Sequence, residues 1–398
     1  MALSSLAQEG IMHNKWFRPL FIFTLSTTTN AQTFSTHNVT KIPIPGKHIE
    51  RPQFSRDGNW LSLETIHQDG FEVYIFNLNK QSKILPVRKK LNSTRNLNAR
   101  RVKWSPTDDE MCYLIGKDQI GLWHFYELDL NNFSANKPFL EDLCKKIFKK
   151  HDVRIQSYAI NINYDKDYFL FATTERELNE TRISIFTSYL ESFPEPYKGG
   201  VSLYHFAVTA NNQLAFAREN KNNKTPKIVI FEDDFEQDSE IAGNRTGSLS
   251  AEIGPQFSRN NPEKYVAFLA KEKSESKDWY LWLLIDPFSE SAKLQKIDGP
   301  VVIRDDAISL NDLNFAWHPN HDIIFYILQS EDGSNPIYYY NLNSAQKHHL
   351  VTNTERNMYI DISKSGQKIV FGSQGKKDSD KPEYYTRKAY VADLIIKK

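Results

Sequence analysis

Two histidine pairs are the first residues in this chain whose types and spacing suggest chemistry. His318-Pro319-Asn320-His321 has an H-x-x-H form, and two imidazoles brought to one point can ligate zinc. The pair falls in a polar turn, however. Zinc sites built from neighbouring histidines use i,i+4 helical spacing or converging elements, so no metal site is expected there. His348-His349 are adjacent in a strand-like run and should point to opposite faces. Asp233-Asp234 and Asp305-Asp306 are paired carboxylates, but calcium needs several more oxygens at close spacing, so these read as solvated loop acids. Cys112 and Cys144 show no CxxC or Cys/His metal spacing. They are read as two separate buried thiols, with a single disulfide as the alternative that an exported location would permit. No Gly-x-Ser-x-Gly elbow and no glycine-rich phosphate loop occurs. No catalytic residue, metal or cofactor is therefore assigned.

Any site must be positioned by a repeat. Pro-Gln-Phe-Ser-Arg occurs at Pro52–Arg56 and again at Pro255–Arg259. Each copy opens a longer phrase: an apolar anchor, a polar turn, then a short apolar strand. Aligned anchors are Phe54, Trp104, Ile162, Val208, Phe257, Trp317 and Ile362, spaced 45 to 60 residues apart. The strands after the turns are expected at Trp60–Thr65, Met111–Ile115, Tyr168–Thr173, Leu214–Ala217, Tyr265–Ala270, Ile323–Leu328 and Ile369–Gly372. A third strand follows in every unit and a weaker fourth in most. Short strands joined by polar turns at such a period predict an all-β chain, a β-propeller of seven four-stranded blades. Six blades with a degenerate third unit is the alternative.

The last unit stops after its third strand, at Ile395-Ile396, and Val39–Pro43 has no other partner. Pairing the two would complete the last blade and close the ring, which removes exposed sheet edges. One segment departs from the strand pattern. Phe139, Leu140, Leu143, Cys144, Ile147 and Phe148 share one helical face beside Lys145, Lys146, Lys149 and Lys150. An inserted amphipathic helix of about three turns is expected over 139–150.

In such a ring the first strands line a central channel. Three residues before each anchor lie Arg51, Arg101, Ala159, His205, Gly254, Asn314 and Tyr359. Of these, Arg51, Arg101, His205, Asn314 and Tyr359 are the candidate partner-binding residues at the channel mouth, where side chains from separate blades converge.

Phe54-Ser55-Arg56-Asp57-Gly58-Asn59-Trp60, Trp104-Ser105-Pro106 and Ile362-Ser363-Lys364-Ser365-Gly366 resemble the TolB-type propeller repeat, which runs apolar, Ser-Pro-Asp-Gly, strand. The turn has a local physical use, since Asp accepts backbone hydrogen bonds and Gly takes a positive φ. The resemblance is at the level of the repeat, and nothing between Ala31 and the first blade resembles the α/β domain of TolB itself. It implies a non-catalytic binding platform for an envelope protein or peptide, Tol–Pal-like, in the periplasm or secreted. TolB-type repeats also occur in some polysaccharide lyases, so the alternative is a carbohydrate-active lyase or hydrolase with its site in the channel.

With 50 basic and 49 acidic residues the chain is nearly neutral, which argues against a nucleic-acid partner. From Met12 the order Lys15 and Arg18, apolar Pro19–Leu25, then Thr29-Asn30-Ala31 reads as a signal peptide. Residues 1–31 are thus expected to be a leader with the true start at Met12, and 32–398 a single propeller domain. No run is long and apolar enough for a membrane span.

Overall fold

The computed structural model describes residues 33–44, 48–67, 70–79, 84–87, 98–117, 123–132, 140–142, 153–163, 166–175, 180–187, 197–199, 203–209, 213–219, 225–231, 246–247, 249–303, 313–377 and 385–397. The described strands form seven antiparallel sheets. Each sheet begins with one inner strand: Ile49–Phe54, Asn98–Trp104, Val153–Asn163, Leu203–Val208, Ala251–Phe257, Phe315–Trp317 and Asn357–Ile362. Every anchor predicted from the repeat lies in one of these strands. Every strand predicted to follow a turn is present and is hydrogen-bonded to its inner strand. The third unit, the weakest in sequence, makes a four-stranded sheet. The fourth unit shows three strands among the described residues.

The two faces of a strand feed different cores. Leu61 and Leu63 pack with Val370 and Ala389 between the first and seventh sheets, whereas Trp60 packs with Cys112, Leu114 and Leu128 between the first and second. Phe325 and Ile327 belong to the core between sheets six and seven, and Ile324 and Tyr326 to the core between five and six. Period-two alternation therefore places apolar residues on both faces, and the strands read as nearly continuous hydrophobic runs. Cys112 is a free thiol at the centre of one such core, where burial pushes its pKa up. Cys144 lies outside the described residues.

The seventh sheet is completed by the N-terminal strand Thr33–Lys41, which pairs antiparallel with Tyr385–Lys397. The expected pairing of chain ends is present, but its register is shifted. Phe34 lies opposite Ile396 and Ser35 opposite Ile395, while Lys41 lies opposite Tyr390. Phe34 decides this. It is buried against Phe325 and Tyr339, with ring centroids 5.6 and 5.4 Å away, and its N–H donates to Tyr339 Oη at 2.8 Å. A one-residue slip would turn Phe34 out to solvent.

The helix expected over 139–150 is corrected at its start. Leu140–Asp142 is a strand on the edge of the second sheet, with Leu140 opposite Leu128 and Asp142 opposite Tyr126. Backbone groups left open along Trp123–Asp129 need partners, and that demand overrides a local helical period. Residues 143–150 lie outside the described residues, among which there is no helix and hence no helix long and apolar enough to cross a membrane.

Candidate functional site

The inner strands contact one another in sequence around a shared cavity: the fifth with the fourth, then the third, second, first, seventh and sixth. The sixth returns to the fifth through Trp317, whose indole N–H donates to the Gln256 carbonyl at 3.1 Å. The cavity holds about 340 Å³ and takes side chains from six of the seven inner-strand segments.

Six inner strands are broken by a register shift, five of them at the same place and the third a few residues further from its anchor. The register shifts between Glu50 and Gln53, Arg100 and Lys103, Ile155 and Ser157, Tyr204 and Ala207, Ile253 and Gln256, and Met358 and Ile360. Within five of these bulges sits a left-handed residue: Arg51 (φ 47°), Arg101 (57°), His205 (55°), Gly254 (64°) and Tyr359 (54°). These are the positions three residues before the anchors. A bulge re-aims the side chains that follow it, and a left-handed non-glycine residue costs about 1–2 kcal/mol, so something must hold it.

Side chains of the same sheet and of neighbouring sheets supply the braces. Glu64, in the second strand of the first sheet, accepts Arg51 Nη1 at 2.6 Å through Oε2 and the Arg101 N–H at 2.6 Å through Oε1. Arg51 also lies 3.7 Å from Glu50, which pairs with Arg387 Nη1 at 2.5 Å. Asn314 accepts the Tyr359 N–H at 2.6 Å and donates to the Val302 carbonyl at 2.6 Å. Of the five predicted contact residues, Arg51, His205 and Tyr359 border the cavity, while Arg101 and Asn314 do not. All five are buried.

At Gly254 the demand is steric as well. A Cβ there would lie 2.2 Å from Leu313 Cδ2, in a left-handed backbone. Gly254→Ala should cost about 2 kcal/mol in urea unfolding, since Leu313 borders the cavity and has room to swing aside.

The richer chemistry lies one residue before the anchors, at Gln53, Lys103, Gln256 and Asp361, all bordering the cavity. The repeat alignment did contain a signal for them. A strand that alternates faces a core with its anchor and the channel with the residue before it, and five of those seven residues are polar, Asn161 being the fifth. Counting back two more residues would keep the same face in a regular strand, but the bulge intervenes. Asp361 accepts Arg259 Nη2 at 3.1 Å and the Phe54 N–H at 3.0 Å. Burial lowers the Lys103 pKa; Asp361 and Glu64 oppose that shift, and Arg259 and Arg101 add to it.

The duplicated pentapeptide now separates into shared and private roles. In both copies the Gln carbonyl accepts an indole N–H from the next sheet, Trp104 at 3.3 Å and Trp317 at 3.1 Å. The arginines diverge. Arg56 donates to the Thr107 carbonyl at 2.5 Å in the adjacent turn. Arg259 reaches the seventh sheet, where it donates to the Ile362 carbonyl at 2.8 Å and to Asp361.

The residue after each anchor is architectural. Ser55, Ser105, Thr209, Ser258 and Ser363 are buried, and their hydroxyl oxygens accept N–H groups of their own turns. His318 takes this place in the sixth unit: Nδ1 accepts the Asn320 N–H at 3.1 Å, and Nε2 faces the Gly366 carbonyl at 3.3 Å. The H-x-x-H pair is therefore a turn, with the two ring centroids 4.7 Å apart. His348 stacks on Tyr339 and His349 packs on Tyr338, on opposite faces as expected. Among the described residues no group of three or more His, Cys, Asp or Glu is placed to hold a metal. The paired aspartates 233–234 and 305–306 lie outside the described residues.

No protein-family profile matches the chain, and no curated protein matches it in sequence. Solved structures do match in shape. An oligogalacturonate lyase in complex with manganese aligns over 92% of this chain and 96% of its own, with a TM-score of 0.58 and 14% identity. The Dos1 propeller aligns over 90% and 95%, with a TM-score of 0.57 and 9% identity. The β-propeller domain of the trilobed protease from Pyrococcus furiosus aligns over 88% and 94%, with a TM-score of 0.52 and 14% identity. At these identities the likeness establishes the fold, a β-propeller, and the sites are left to the residues of this chain.

Proposed function

We propose that the chain is an exported, TolB-like, seven-bladed propeller that binds a protein segment or peptide at the central cavity. Transit through a signal peptide in residues 1–31 would place it in the periplasm or outside the cell, where an envelope protein is the natural partner. The observation that carries this is the lining of the cavity. Gln53, Lys103 and Gln256 bring polar groups from three sheets to one place, against apolar walls from Phe206, Phe315 and Ile360. Polar groups that converge from separate rigid strands, with apolar surface beside them, give a ligand both orientation and contact area.

Recovery of a partner from envelope extract should fall at least about tenfold for a Gln53→Ala/Gln256→Ala variant, whose substitutions remove side-chain amides but leave the backbone acceptors. Equal recovery by variant and parent would remove the cavity from partner binding. A second class, a carbohydrate lyase or hydrolase, draws on Lys103. A buried amine with a lowered pKa is suited to general-base work. Turnover of a glycan panel that disappears in Lys103→Met would favour that class.

A further inference from the structure

The charges at the cavity and just behind its wall are not evenly matched. Asp361 is already committed to Arg259 and to the Phe54 N–H, and Glu64 to Arg51 and the Arg101 N–H. Each of these carboxylates has a cation and a backbone donor. Lys103 is left without a hydrogen bond and without an ion pair within 4.0 Å among the described residues. It is only partly exposed, and its exposure is to the cavity. An ammonium so placed loses hydration and has only distant carboxylates, Asp361 and Glu64, that are already paired elsewhere, and that penalty is relieved when an anion enters.

The neutral groups beside it suit an anion of a particular kind. The Gln53 and Gln256 side-chain amides border the same cavity and make no hydrogen bonds among the described residues, so their N–H donors are available. Phe206, Leu313, Phe315 and Ile360 supply apolar wall. A small inorganic anion would leave that wall wet. A carboxylate carried on an apolar body satisfies both parts of the lining.

We infer that the cavity is a carboxylate-binding site, with Lys103 Nζ as the charged contact, the Gln53 and Gln256 amides as neutral donors, and the aromatic and aliphatic wall holding the body of the acid. This rests on the binding role proposed for the cavity and names its ligand class. The carboxylate has two possible sources of the same chemistry, the C-terminus of a peptide and a free organic acid, which the probes below separate.

Three matched probes test it by calorimetric titration: N-acetyl-leucine, its uncharged amide, and 4-methylpentanoate, a free acid with the same apolar body. N-acetyl-leucine should bind at least about tenfold more tightly than its amide, the usual scale of one charge-assisted contact. Lys103→Met should bring that ratio to about one, and Lys103→Arg should retain most of it. A ratio near one in the parent protein, or a ratio that survives Lys103→Met, would overturn the assignment. Should Lys103→Met fail to fold, the acid-to-amide ratio in the parent decides alone. Stronger binding of N-acetyl-leucine than of 4-methylpentanoate supports the site and assigns it to peptide termini; the reverse supports it and assigns it to free acids. If the ratio holds while Gln53→Ala/Gln256→Ala still recovers its partner in full, the carboxylate site stands and the partner-binding platform falls.

Discussion

Glu64→Ala should destabilise the propeller by about 4 kcal/mol, read from urea unfolding of the full chain. The Glu64 carboxylate is buried and makes two bonds of 2.6 Å, one to the Arg51 guanidinium and one to the Arg101 N–H. Its loss leaves the Arg51 side chain, only 5% exposed, with the more distant Glu50 at 3.7 Å, itself engaged by Arg387. Breaking one partner of a buried pair typically costs about 3–5 kcal/mol, because the remaining charge stays dehydrated. The left-handed Arg101 also loses the acceptor that holds its bulge. Glu64→Gln should fall between parent and Ala, since its amide oxygen can still accept the Arg101 N–H. A Glu64→Ala protein within about 0.5 kcal/mol of the parent, the usual range of surface substitutions, would show that the two bulges hold without the carboxylate.

Acid should unfold the protein partly through one histidine. Burial lowers the His318 pKa from 6.5 to about 4; nearby His321 and, more weakly, Arg259 act in the same direction, and the Gly366 carbonyl opposes them. The neutral ring fits its turn. Nδ1 must keep its lone pair to accept the Asn320 N–H, while Nε2–H donates to Gly366. The folded-state pKa lies below the unfolded one, so the unfolded chain binds the proton first. Stability is then complete above pH 6.5 and is lost as the pH falls towards 4 and through it, by roughly 3 kcal/mol in total. Acid acts on more than one group in a folded protein, so the measurement is a difference. His318→Ser restores the hydroxyl used at this position in other units. Its stability should fall less than the parent's between pH 6.5 and 4. Parallel pH profiles for the two proteins would exclude His318 as the titrating group.

The repeat was legible because its cause is local. An apolar anchor, a buried hydroxyl and a turn residue recur wherever a short strand must reverse, and each hydroxyl bonds N–H groups a few residues away. Ser55, Ser105, Ser258 and Ser363 could be placed from neighbouring residues alone. The mouth residues were only half legible. Arg51, His205 and Tyr359 do border the cavity, but the left-handed bulge they occupy turns attention to Gln53, Lys103, Gln256 and Asp361. A bulge is an extra residue relative to a partner strand, so it exists only once the pairing register is known. The segment 139–150 misled for a related reason. Its helical period is real, but Leu140–Asp142 answers to an open strand edge that no window of sequence contains.

By itself the sequence determined the all-β character, the phase of the units and the pairing of chain ends, because alternation and turn chemistry act over a few residues. Only the tertiary structure decided which polar residues face one another. Asp361 meets Arg259 and Phe54 from sheets remote in sequence, and Glu64 serves two sheets at once. Those commitments, made through space, are what leave Lys103 without a direct ion pair among the described residues. A lysine's charge is written in the chain, but whether that charge is already answered depends on every carboxylate the fold brings near it.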